Sequence, residues 1–119
     1  MRVMIVAEPG RLRDGLQALL ASYLGAEPLM TGERGPSAAE AICTAQPDLV
    51  ILDEGLLGPE TAALVKEVKS KWSWMGCIVV VDRTGHFLAM QEAGADYVLL
   101  RGFAVPRLFD ALEAFHMRI

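Results

Sequence analysis

The sequence predicts an α/β fold: a parallel sheet with helices packed on both faces. Three observations carry this. Short apolar runs alternate five times with segments of helical periodicity, the pattern of β-α units joined by right-handed crossovers. Within PDLVILDEGLLGP, residues Leu49 to Leu52 are apolar without a break, as in a strand buried on both sides. The chain has 119 residues and is 53% hydrophobic, which suits one core and is too short for two. We therefore expect a single domain over residues 1–119, with no output domain attached.

In order, Arg2 to Ala7 is the first strand, and Glu8-Pro9-Gly10 turns the chain. A helix from about Arg11 to Leu24 sets Leu12, Leu16, Leu19, Leu20 and Tyr23 on one face. Gly15 in its interior weakens it by up to ~1 kcal/mol. Ala26 to Met30 is a weak strand at or near an edge, and Thr31 to Pro36 a loop. Ser37 with Glu40 makes a capping box for a small-residue helix that ends near Gln46, where Pro47 stops it. After the central strand, Pro59 and Glu60 begin a third helix, with Leu64, Val65 and Val68 inward and Lys66, Glu67 and Lys69 toward water. Trp72 and Trp74 follow it; they cap the bottom of the core or form a partner-binding patch.

Cys77 to Val81 is a β-branched strand, Asp82 to Gly85 a turn, and His86 to Glu92 a short fourth helix. Ala93-Gly94-Ala95 ends that helix, Asp96 to Leu100 is the last strand, and Arg101 to Phe103 a loop. The final helix starts near Pro106, which suits a first helical turn, and buries Leu108, Ala111, Leu112 and Phe115.

A net charge of −4 argues against a nucleic-acid partner. No apolar run approaches the ~18 residues of a membrane span, and Met1-Arg2 leads into a strand rather than a signal peptide. Cys43 and Cys77 lack disulfide or metal-ligand spacing and read as buried free thiols of a cytoplasmic protein.

Chemistry is expected at the carboxyl edge of the sheet, where open parallel sheets bind ligands. With the first and third strands adjacent, Glu8, Asp53 and Glu54 would share a groove. Two carboxylates ~5 Å apart repel by roughly 3 kcal/mol at an effective dielectric of 20. A cation between them relieves this, and oxygen ligands suit Mg²⁺. Arg101, after the fifth strand, would add a fixed positive charge. The alternative is that these acids are solvated strand-end residues.

MRVMIV followed by an acid, PDLVILD, a loop ending in Gly58-Pro59, and AGADYVLL followed by a basic residue and Phe103 occur in that order. In these pieces the chain resembles, over essentially its whole length, the receiver domain of bacterial two-component response regulators. The resemblance implies a flavodoxin-like (βα)5 doubly wound sheet of five parallel strands, order 2-1-3-4-5; a family member is a standard example of that order. It implies that Asp53 accepts a phosphoryl group from a histidine kinase. Glu8, Asp53 and the Gly55 carbonyl would hold a weak Mg²⁺, with Arg101 for phosphoryl charge. A homodimer would form through the fourth helix, fifth strand and fifth helix.

The pattern breaks at five places. Ala7 stands where the family has the first of two acids, and Val81 replaces the Thr or Ser that bonds the phosphoryl group. Asp82 follows where a small residue is usual, and Arg101-Gly102 replaces a Lys followed by a cis-proline. Val98 falls at the aromatic switch position, with Tyr97 one place off and so on the opposite face. The Val81–Ala93 segment is short enough that Thr84 is the one hydroxyl in position to reach inward instead.

Without the hydroxyl and ring, the coupled switch is lost. The leading expectation is a degenerate receiver, not an enzyme, acting mainly by docking to other signalling proteins in the cytoplasm, without membrane or nucleic acid. The alternative is a conventional receiver phosphorylated at Asp53 with Mg²⁺. A small enzyme or cofactor binder on the same fold is a third reading, against which EPGR lacks phosphate-loop spacing and neither His86 nor His116 ends a strand.

Overall fold

The computed structural model describes residues 1–23, 27–31 and 35–117. Five strands form one parallel sheet: β1 (Arg2–Val6), β2 (Glu27–Thr31), β3 (Leu49–Asp53), β4 (Gly76–Val81) and β5 (Tyr97–Leu100), in the order β2-β1-β3-β4-β5. The helices are α1 (Arg11–Ser22), α2 (Gly35–Ala45), α3 (Glu54–Leu57), α4 (Thr61–Lys71), α5 (Phe87–Ala93) and α6 (Val105–His116). This is the α/β class with a parallel sheet that the alternating pattern predicts.

Two-sided burial follows from strand periodicity. In β3, Leu49 and Ile51 join the cluster under α1 and α6, with Leu16, Leu20, Leu108, Leu112 and Phe115. Val50 and Leu52 join the opposite cluster under α2, α4 and α5, with Ile42, Val65, Val68 and Met90. Every residue of β3 and β4 is buried, which is why neither strand alternates in polarity.

Several expectations change in detail. The third helical segment is interrupted: a one-turn α3 follows β3 directly, a 3-10 turn spans Gly58–Glu60, and α4 opens only at Thr61. Gly58 makes this possible with φ 62, ending α3 in a conformation that side chains resist. Helix α2 already runs from Gly35, ahead of Ser37, so the capping box does not mark its start; the Ser37 side chain lies outside the described residues. Cys43 is exposed and only Cys77 is buried. Trp72 packs against the core, whereas Trp74 is 51% exposed, so only the first caps it.

Lys69 does not face water. Its ammonium reaches past the end of α4 to the carboxylate of Asp96 (3.0 Å) and the carbonyl of Met75 (2.8 Å). The same Asp96 oxygen accepts the Cys77 backbone N–H at 2.8 Å, so one carboxylate fastens the start of β4, the start of β5 and the end of α4. Beside it, burial pushes the Cys77 thiol up from its ordinary 9.0 to about 12, with Asp96 adding to the effect and Lys69 opposing it.

That shift has a stability consequence. Above pH 9 the unfolded chain releases a thiol proton that the folded chain keeps, so folding stability falls as pH rises from 9 toward 12, by up to about 1.4 kcal/mol per pH unit. Urea unfolding of Cys77→Ala beside the unaltered chain should show a shallower alkaline slope in the variant.

Candidate functional site

Residues at the carboxyl ends of β3, β4 and β5 meet around Asp53, linked through Arg101. The residue itself closes β3 and is only 5% exposed. It also caps α3: its Oδ1 accepts the Gly55 N–H at 2.9 Å, which fixes the carboxylate's orientation. The same Oδ1 accepts Arg101 Nη2 at 2.7 Å. No hydrogen bond from the described residues falls on Oδ2.

Arg101 arrives there through strand pairing. Its backbone N–H donates to the carbonyl of Val81 at 2.8 Å, extending the β4–β5 ladder by one residue. Asp82 follows Val81, and its Oδ1 accepts Arg101 Nε at 2.7 Å. One guanidinium thus spans the ends of β3 and β4. The Asp82 hydrogen bond, ahead of the Asp53 charge, raises the Arg101 pKa above its ordinary value. Glycine at 55 is what leaves room: a Cβ there would lie 2.7 Å from Arg101 Nη2 and 3.1 Å from Asp53 Oδ1.

Of the three side chains expected to meet at this edge, Asp53 and Arg101 are in direct contact. Glu8 is exposed one residue past Ala7, and the β1–β3 register, with Val6 opposite Leu52, runs it toward the same edge. Val81 and Val98 both lie on the face of the α2–α5 cluster, Val81 fully buried. Tyr97 packs against the opposite cluster, so it cannot stand in for a ring at Val98. Thr84 does not reach inward; it is exposed within a 3-10 turn, Thr84–His86. Gly102 has φ 87, and no cis peptide bond occurs among the described residues.

One pair escaped sequence reasoning. His86 Nδ1 lies 2.7 Å from Oε1 of Glu54, whose side chain is 11% exposed. Neither is the isolated surface residue its local sequence suggests. With Gly55, Asp82 and Arg83 they border a crevice of about 620 Å³ beside Asp53, floored by Met90. The only sequence signal was positional: both residues follow strand ends that are neighbours in the sheet. The His116 side chain lies outside the described residues.

The Asp53 and Glu8 carboxylates are oxygen ligands of the type Mg²⁺ takes. Among the described residues no group of three or more His, Cys, Asp or Glu is arranged around a common metal position, so a site here would rest on few protein ligands.

No known protein-family profile matches the chain. Over 88 residues it is 35% identical to the transcriptional regulatory protein RstA of Escherichia coli, covering 69% of this chain and 36% of RstA. The chain thus spans about a third of that relative's length. Among solved structures, it superposes on the response regulatory domain of protein mrkE from Klebsiella pneumoniae with a TM-score of 0.87 at 15% identity, covering 99% and 97% of the two chains. A DNA-binding response regulator of the LuxR family from Staphylococcus aureus gives 0.82 at 22% identity, covering 96% and 97%. RcsB from Salmonella enterica, solved bound to a promoter with a phosphomimetic beryllium fluoride, gives 0.81 at 18% identity, covering 96% and 67%. The receiver resemblance read from the sequence is borne out. The exclusion of nucleic acid is not supported, because the RcsB structure contains promoter DNA.

Proposed function

Because the chain has the receiver fold and is similar in sequence to a response regulator, we propose that it is a two-component signalling domain whose Asp53 is a slow phosphoacceptor. Its output then comes mainly from docking to other signalling proteins. The observation that carries this is the state of Arg101, whose guanidinium is already bonded to both Asp53 and Asp82. The aliphatic side chains of Val81 and Val98, where a hydroxyl and a ring would couple modification to shape, support it further. Such a domain would work in the cytoplasm beside its kinase, and DNA contact would belong to a further segment or partner.

In the phosphoryl step, Asp53 Oδ2 is the attacking atom, because Oδ1 is held by Gly55 and Arg101. Oδ2 forms the bond to phosphorus while the bond from phosphorus to the donor's leaving atom breaks, an imidazole nitrogen for a phosphohistidine or a carboxylate oxygen for acetyl phosphate, and that atom departs with the electron pair. Mg²⁺, held by Asp53 with Glu8 and the Gly55 carbonyl, would neutralise phosphoryl oxygens when bound. The Gly55 N–H orients the carboxylate throughout.

A conventional, fast receiver is the second reading, favoured by the short Asp53–Arg101 bond itself. Intact-mass analysis with acetyl phosphate and Mg²⁺ separates the two. We expect slow, partial gain of one phosphoryl mass, absent in Asp53→Ala and on chelating Mg²⁺. Rapid, complete gain would favour the conventional reading.

A further inference from the structure

An arginine binds a two-oxygen anion best through the parallel N–H pair on its Nε–Nη2 edge. In this chain that edge is divided: Nη2 goes to Asp53 and Nε to Asp82, each at 2.7 Å. A phosphoryl group on Asp53 would present two oxygens to the same edge, and the Nε half is taken. The guanidinium's Nη2 lies against Gly55, and the Arg101 backbone N–H is tied to Val81. Asp82 is itself 48% exposed and needed by no other described side chain.

We propose that Asp82 is a positioning residue that withholds half of the Arg101 donor edge from a phosphoryl group on Asp53, and so keeps phosphoryl acceptance slow. The carboxylate occupies the place a second phosphoryl oxygen would take. Charge pairing that ordinarily follows phosphorylation is then partly satisfied in the unmodified protein. This rests on the receiver reading above. It differs from simple repulsion of an anionic donor, which would act whether or not Arg101 were present.

The test compares acetyl phosphate labelling, with Mg²⁺, of the unaltered chain and of Asp82→Ala, Arg101→Ala and the double variant. Asp82→Ala should be labelled about tenfold faster or more, since a well-placed arginine is worth far more than that in phosphoryl transfer. In the Arg101→Ala background the same substitution should leave the rate unchanged. A second readout does not depend on turnover: the Arg101 Nε–H resonance should move on adding beryllium fluoride and Mg²⁺ to Asp82→Ala, and stay still in the unaltered chain.

An unchanged rate in Asp82→Ala overturns the assignment, as does equal acceleration with and without Arg101 or an equal response of the Nε–H in both proteins. Fast labelling of the unaltered chain would instead defeat the slow-acceptor reading from which the proposal starts. Slow labelling of both proteins defeats the role of Asp82 alone.

Discussion

Phe115→Ala should destabilise the domain by about 3–5 kcal/mol, the range for deleting a buried phenylalanine. Phe115 is 2% exposed and packs among Leu49, Leu108, Leu112 and the inner residues of β4. Its ring lies where Gly76 begins that strand, and a Cβ at Gly76 would come 2.6 Å from Phe115 Cε2 and 2.7 Å from Leu49 Cδ1. Gly76→Ala alone should therefore overpack, at roughly 1–3 kcal/mol. Combined with Phe115→Ala, the new methyl enters the space the ring has left, and the pair should cost less than the sum by about 1 kcal/mol or more. Urea unfolding of the four proteins closes the cycle. Strict additivity would mean that ring and glycine are not packed as described.

Removing the carboxylate of Asp96 should cost about 2–4 kcal/mol, because Asp96→Ala strips Lys69 of its counter-ion and the Cys77 N–H of its acceptor at once. Both side chains of the pair are largely buried, at 19% and 14% exposure, so water cannot replace what is lost. Lys69 keeps its bond to the Met75 carbonyl, which holds the cost below that of a fully isolated charge. Asp96→Asn should lose less, since an amide oxygen can still accept from Cys77. Hydrogen exchange at the Cys77 amide gives the local reading: it should accelerate in Asp96→Ala well beyond the change at mid-strand Val79. Equal acceleration at the two would mean a global loss, and the clamp at the strand starts would be wrong.

These two cases mark what the residue pattern can and cannot reveal. Helix faces such as Leu108, Ala111, Leu112 and Phe115 were legible because burial obeys a local period. So were the β3 and β4 runs, whose two-sided burial leaves Asp53, at the end of β3, as their one charged residue. Lys69 was misread because its position on the helix is polar by period, while its stem reaches a carboxylate 27 residues away. The Glu54–His86 contact spans 32 residues and depends on which strands are neighbours. Asp82 was visible as an extra negative charge, but its bond to Arg101 needed the β4–β5 register to bring the two together. The one-turn α3 was hidden because Gly58-Pro59 reads as loop; in space Gly58 closes α3 and Pro59 sits in the 3-10 turn that follows.

Both tryptophans precede β4 and so lie at its amino end, whereas Asp53 closes β3 at the other edge. The strand between them spans roughly 16–20 Å at about 3.3 Å per residue. Indole emission is thereby an optical gauge of the distal rim. It should change when the scaffold melts and change little when ions or phosphate arrive opposite, which makes it a monitor of unfolding rather than of the chemistry.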